Sequence, residues 1–182
     1  MGLVLFLVTG CFVISVNPFY EEKEVFFEPA LLGRWQGEGQ HWRFEPSEHE
    51  AKAYLVTYSA EGKASKMWGH LFKLEEQWLL DLTGGTTGEV LPPPIPSHMV
   101  LRVKLEEGKL TLQALDYEWV KEWLKKNPKA LRHQWRVSPD DPEAPFFVLT
   151  AETAELREFL RQRLKDAEAW SARIQLERPE ER

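Results

Sequence analysis

The stretch AKAYLVTYSAEGKASKMWGHLFKLEEQWLLDL, residues 51–82, decides the fold class of this chain. It contains three strand-like runs, at 51–59, 65–74 and 77–82, which are separated by two short polar turns. Period-two patterning interrupted by short turns predicts consecutive antiparallel strands. Such a meander can bury its apolar face only against a second layer or by closing into a barrel.

The rest of the chain supports a mainly β fold of the α+β class. Alternating patterns predict further strands, and helical spacing predicts a helix at 117–126 and a C-terminal amphipathic helix after Thr150. We therefore predict an antiparallel barrel of about eight strands, with the C-terminal helix packed on it. A two-layer arrangement of sheet and helix is the alternative. The further predicted strands lie at 31–35, 40–44, 98–105, 109–115, 131–136 and 146–150.

Composition limits the classes of partner. The chain has 182 residues, of which 43% are hydrophobic and 29% charged, so one folded domain with a sizeable core is expected. Its net charge is −6 and it has no basic cluster, which argues against nucleic acid and against charge-driven binding to anionic lipid. Eight tryptophans and ten phenylalanines favour a β-rich core or an aromatic-lined cavity.

The N-terminal residues differ from the rest because residues 2–16 carry no charge and are nearly all apolar. Within them, Val8-Thr9-Gly10-Cys11 matches the bacterial lipobox: an aliphatic residue, a tolerant position, a small residue and then cysteine. We predict a lipoprotein signal peptide over 1–10 and acylation of Cys11 as the first mature residue. The acyl chains, such as palmitate, would anchor the protein durably because each buried CH₂ contributes about 0.8 kcal/mol.

This interpretation divides the chain into a lipidated tether at 11–28, a barrel-like domain with its C-terminal helix at 29–170, and a fraying charged tail at 171–182. It predicts a bacterial cell-envelope protein held to a membrane. Phe12 rather than aspartate after the cysteine favours the periplasmic face of the outer membrane in a host with two membranes.

Two alternatives for the N-terminus stay open. One is a single membrane span, although about 20 residues are needed to cross a bilayer core and Asn17-Pro18 ends the apolar run early. The other is a buried N-terminal strand with an ordinary free cysteine. Cys11 is the only cysteine, so no disulfide can form within the chain.

Leu32-Gly33-Arg34-Trp35, just before the predicted meander, is similar to the Gly-x-Trp signature that opens the first strand of lipocalins. The resemblance implies an eight-stranded barrel whose closed end is plugged by Trp35. The later Thr-Asp motif of that family is not found, and no clear arginine follows the last predicted strand to stack on Trp35.

A second resemblance covers nearly the whole chain and points to a family of uncharacterised bacterial lipoproteins. It implies lipidation of Cys11, at the same offset from Asn17-Pro18-Phe19, and carries no known activity. The matching segments are Cys11, Val16–Tyr20, Pro29–Trp35, His70–Phe72, Leu80–Leu82 and Leu115–Tyr117.

The sequence shows no recognisable catalytic motif. It lacks the His-x-His and His-Glu-x-x-His metal patterns and the Gly-x-Ser-x-Gly elbow, and the glycine-rich run at 83–88 is not followed by a phosphate-binding lysine. We predict no enzyme activity, no metal and no cofactor. The candidates for a ligand contact or barrel plug are Trp35, Trp68, His70 and His98.

Two functions therefore compete, with an enzyme as a distant third. The first is a membrane-anchored, lipocalin-like module that binds a small hydrophobic ligand. The second is a structural or protein-interaction module of the envelope with a filled core, whose protein partner the sequence does not identify. An internal cavity would favour the first, and a packed interior with an exposed apolar patch would favour the second.

Overall fold

The computed structural model describes residues 12–84, 97–138 and 141–179. Its body is a closed barrel of eight antiparallel strands accompanied by two helices, which confirms the predicted mainly β, α+β barrel. The barrel strands are β1 (Gly33–Gly37), β2 (Gln40–Pro46), β3 (Ala53–Ala60), β4 (Lys63–Leu74), β5 (Gln77–Gly84), β6 (His98–Glu106), β7 (Lys109–Ala114) and β10 (Ile174–Glu177). Their order around the barrel is β1-β10-β7-β6-β5-β4-β3-β2.

The barrel is closed by β10, a strand that the sequence patterns did not reveal. It pairs with β7 through Ile174 and Leu112 and with β1 through Glu177 and Gln36. The prediction of a fraying tail over 171–182 is therefore wrong for 174–177. Burial of Leu176 between the neighbouring strands holds this four-residue segment in place despite its charged surroundings.

Two hydrophobic clusters lie on opposite sides of the barrel wall. The alternation of side chains along each strand sends one set inward and the next outward. In β4 the inward set includes Met67 and Leu71, and the outward set includes Phe72 and Leu74. The interior cluster contains Leu31, Trp35, Trp42, Phe44, Tyr54, Val56, Met67, Leu71, Leu80, Leu82, Leu101, Val103, Leu110, Leu112 and Leu176.

The outer cluster is covered by helices and by a separate β ribbon. Helix α1 (Tyr117–Lys126) buries Val120 and Leu124. Helix α2 (Thr153–Arg163), which is the predicted C-terminal amphipathic helix, buries Leu156, Phe159 and Leu160. Strands β8 (His133–Ser138) and β9 (Asp141–Leu149) pair with each other as a two-stranded sheet apart from the barrel.

The segment from Phe12 to Val25 is docked on the outside of the barrel, and Phe26 and Phe27 pack against the interior cluster. The prediction of a tether at 11–28 is therefore wrong for residues 12–28. Val13, Phe19 and Val25 are buried in the outer cluster. The backbone of Ser15 bridges to His98, and the guanidinium of Arg157 on α2 pairs with Glu21 and Glu24. The physical reason is that the outward apolar side chains of β4 and β5 need cover from water.

Candidate functional site

Trp35 lies in the barrel interior with only 1% of its surface exposed. Its Nε1 donates a hydrogen bond to the carbonyl oxygen of Leu31 at 2.8 Å. Leu31 ends a 3₁₀ helix, Pro29–Leu31, and belongs to the same interior cluster. The indole ring and the preceding 3₁₀ turn are thus fixed to each other where β1 begins.

Arg178 follows β10 directly and completes this end of the barrel. Its guanidinium carbon lies 4.3 Å from the centroid of the Trp35 ring, within the range of a cation–π interaction. Its Nη1 and Nη2 donate to the carbonyl oxygens of Leu32 and Ala30 at 3.0 and 2.7 Å. The expectation that no arginine follows the last strand is therefore wrong, because the last strand is β10.

Gly33 is required by this arrangement for two reasons. Its φ of +107° lies in the left-handed region, which side chains disfavour. A Cβ at this position would also lie 2.9 Å from Nη1 of Arg178. The Gly-x-Trp pair and Arg178 are thus parts of one packed arrangement.

The barrel interior is closely packed around Gly69. Gly69 on β4 pairs in register with Tyr54 and Leu82, with no bulge at this point. A Cβ on Gly69 would lie 2.9 Å from Cγ2 of Val56 and 3.3 Å from Cδ1 of Leu80. Even one added methyl group would force neighbouring side chains to move, so a hydrophobic ligand here would have to displace core residues.

The candidates Trp68, His70 and His98 do not line the interior. Trp68 and His70 share the outward face of β4 with Phe72, because they alternate with the inward Gly69 and Leu71. His98 begins β6, where it pairs with Thr83 in the register. Among these three, the structure brings His70 and His98 to opposite sides of one residue, Asp81, whereas Trp68 lies beside His49.

Asp81 is fully buried on the outward face of β5 and organises a polar network. Its Oδ2 accepts a hydrogen bond from the backbone N–H of Phe19 at 2.9 Å. Its Oδ1 lies 2.8 Å from Nδ1 of His98 and 3.4 Å from Oγ1 of Thr83. A buried carboxylate needs such partners to offset its desolvation. Asp81 therefore fixes the N-terminal segment to the barrel.

Tyr20 and His70 extend this network on its other side. Their rings are stacked, with centroids 4.8 Å apart, and Nε2 of His70 lies 2.9 Å from Oε1 of Glu50. Burial, followed by the negative charge of Asp81, raises the pKa of the Tyr20 phenol well above its usual value. Nδ1 of His70 is buried and has no hydrogen-bond partner in the described part of the chain.

The Asp81–His98 pair has the chemical components of a general acid–base unit, but its surroundings favour a structural role. The second carboxylate oxygen of Asp81 accepts from the Phe19 amide, and both Asp81 and Phe19 are fully buried. His98 and His70 were among the residues predicted from the sequence. Phe19 and Tyr20 were not, because no local sequence signal shows that a backbone N–H will bond to a distant side chain.

A groove of about 410 Å³ opens to solvent beside β1. Its polar lining includes Arg34 and Gln36 from β1, His41 and Arg43 from β2, and Ser59 from β3. Arg34 and Arg43 are directly opposite each other, and Arg43 also pairs with Glu45 at 2.8 Å. Trp35, Trp42 and Pro179 also line the groove, so its surface is of mixed polarity.

The remaining points concern Cys11, metal binding and membrane-spanning helices. Cys11 lies outside the described residues, so the structure does not report on its environment. Within 12–84, 97–138 and 141–179, no group of three or more His, Cys, Asp or Glu residues could hold a metal ion. In the same ranges no helix is long and apolar enough to span a membrane.

Comparisons with protein-family models, with curated proteins and with solved structures find no match to this chain. The resemblances to lipocalins and to bacterial lipoproteins are therefore supported by the sequence segments named for each, and not by a match to a known protein.

Proposed function

We propose that this protein is a bacterial cell-envelope lipoprotein, anchored through acylated Cys11, whose filled barrel acts through its outer surface. The observation that carries the proposal is the lipobox Val8-Thr9-Gly10-Cys11 within an uncharged apolar run. Acylation of a cysteine's sulfur and amine provides the several chains that stable anchoring requires. The outer membrane, at its periplasmic face, is the proposed location in a host with two membranes.

The docked segment after Cys11 supports a short anchor. Val13 and Ser15 are already buried, and Ser15 forms backbone hydrogen bonds with His98 at 2.9 and 2.8 Å. Consecutive Cα atoms are about 3.8 Å apart, so an acyl group on Cys11 would be attached within two residues of the folded body. An anchor of this kind would hold the barrel against the membrane instead of on a long flexible linker.

The packed interior favours a surface-acting module over a carrier of a small hydrophobic ligand. The interior cluster includes the large side chains of Trp35, Phe44 and Tyr54, each almost completely buried. The barrel, the Gly33/Trp35 pair and Arg178 together support a lipocalin-like architecture as part of the proposal. This likeness concerns the barrel architecture and not a ligand. Some eight-stranded barrels are filled by side chains, and others hold one small ligand.

Metabolic labelling tests the anchor. Cells expressing the wild type are expected to incorporate a clickable palmitate analogue into the protein, and cells expressing Cys11→Ser are expected to incorporate none. A matched variant, Gly10→Leu, is expected to impair removal of residues 1–10, because the peptidase requires a small residue before the cleavage site. Equal labelling of wild type and Cys11→Ser, or no labelling of either, would refute the lipoprotein proposal.

A further inference from the structure

Four large apolar side chains are exposed in the described part of the chain: Phe12 at 44%, Val16 at 37%, Trp135 at 38% and Val137 at 57%. Phe12 and Val16 belong to the segment that follows Cys11, and Trp135 and Val137 belong to β8. Trp135 is opposite the buried Phe147 in the register and lies on the same face as that residue. The exposed apolar pair next to Cys11 is therefore Phe12 and Val16.

Backbone pairing joins these segments into a three-stranded ribbon. Ser15 forms a parallel bridge with Leu149 of β9, Val16 N donates to Leu149 O at 3.0 Å, and Leu149 N donates to Ile14 O at 2.9 Å. β9 in turn pairs with β8, with His133 opposite Leu149. The order across the ribbon is thus the N-terminal segment, then β9, then β8.

The two faces of this ribbon have different environments. Val13, Ser15, Phe147 and Leu149 are buried against the body, so the residues that alternate with them face away from it. The outward-facing side chains are Phe12, Ile14, Val16, Gln134, Arg136, Phe146 and Val148. Five of these seven are apolar, and Arg136 is the charged one. This outward face is called the ribbon face below.

We infer that the ribbon face lies on the lipid bilayer to which Cys11 is anchored. Phe12 is adjacent to Cys11 in the chain, and Val16 is five residues from it, so both remain within about 20 Å of the acylated residue even in a fully extended chain. The inference rests on the proposed anchor and adds an orientation to it.

The composition of the ribbon face matches a bilayer surface. Apolar groups that lie at an interface are buried about 5–10 Å into the headgroup and acyl boundary. No acidic side chain lies among its described outward-facing residues, and its one charge, on Arg136, suits phosphate headgroups. Insertion of apolar side chains also fits a chain whose net charge of −6 argues against electrostatic attraction to anionic lipid.

The single native cysteine provides a direct test. In the acylated protein the Cys11 sulfur is in a thioether, so a thiol-reactive environment-sensitive dye can modify only an introduced cysteine. Val16→Cys and Gln134→Cys place the dye on the ribbon face. Glu107→Cys is the matched control, because it is exposed just beyond the far end of β6, about 30 Å along the strand from His98.

The full-length acylated protein is reconstituted into vesicles of phosphatidylethanolamine and phosphatidylglycerol that contain nitroxide-labelled lipid. We expect the emission of dyes at positions 16 and 134 to shift to shorter wavelength. We also expect the nitroxide-labelled lipid to quench most of their fluorescence. We expect the dye at position 107 to keep an aqueous spectrum and to remain largely unquenched.

Each alternative result has a distinct meaning. If all three dyes stay unquenched on vesicle-bound protein, or all are quenched equally, the orientation is refuted and the anchor stands. A short-wavelength spectrum at position 16 without quenching by lipid would mean that protein covers the ribbon face, which also refutes the inference. If the dye labels wild-type protein, Cys11 has a free thiol, and the anchor and the inference fail together.

Discussion

Trp35→Ala is expected to lower the free energy of unfolding by about 3–5 kcal/mol, because truncating a buried tryptophan leaves a cavity that its neighbours fill only partly. The substitution also removes the Nε1 hydrogen bond to Leu31 and the ring on which Arg178 stacks. This is a large share of the roughly 5–15 kcal/mol that stabilises a folded domain. Chemical denaturation monitored by circular dichroism is the measurement.

Trp119→Ala is the matched control for this prediction. Trp119 lies in the first turn of α1, is partly buried and packs beside Trp123. Its truncation is expected to cost much less than that of Trp35. If Trp35→Ala unfolds like wild type but loses a bound molecule, Trp35 lines a ligand site. If the substitution changes neither the stability nor the binding of a molecule, Trp35 does not plug the barrel end. The resemblance to lipocalins should then be abandoned as well.

Asp81→Ala is expected to cost about 1–3 kcal/mol, because the buried Phe19 amide loses its acceptor and a buried unpaired donor costs about that much. Nδ1 of His98 keeps Oγ1 of Thr83 as a partner at 3.0 Å. The loss should act first on the docked N-terminal segment. Hydrogen exchange is therefore expected to accelerate in peptides covering 13–20 more than in peptides from β2 and β3.

Asp116→Ala serves as the control, since Asp116 also accepts a backbone hydrogen bond, from Trp119 N at 2.8 Å, but as the N-cap of α1. Loss of such a cap typically costs about 1 kcal/mol. An Asp81→Ala protein as stable as Asp116→Ala, with unchanged exchange at 13–20, would contradict the assignment of Asp81 as the anchor of that segment.

The barrel could be predicted from sequence where its strands are long and joined by short turns. The structure forms β3, β4 and β5 in the order that the patterns at 51–82 indicate, because local alternation and turn residues determine both strand and pairing there. β10 was missed because Ile174–Glu177 is only four residues long and most of its stability comes from pairing with β7 and β1.

Interactions between distant residues could not be predicted in the same way. Phe19 and Asp81 are 62 positions apart, and their hydrogen bond uses a backbone donor that every non-proline residue has. The sequence did show apolar groups on both faces of β4, which is the signal that its outer side is also covered. It did not show whether a helix, a ribbon or the N-terminal segment would supply that cover.

Native mass spectrometry of the protein extracted from membranes and released from detergent would test the lipid anchor and the packed interior together. We expect a mass equal to residues 11–182 plus the acyl groups on Cys11, with no further bound molecule, because the interior is packed with side chains. A chain that retains residues 1–10 with an unmodified cysteine would contradict the lipid anchor. A reproducible additional small hydrophobic molecule would contradict the filled barrel and restore the ligand-binding hypothesis.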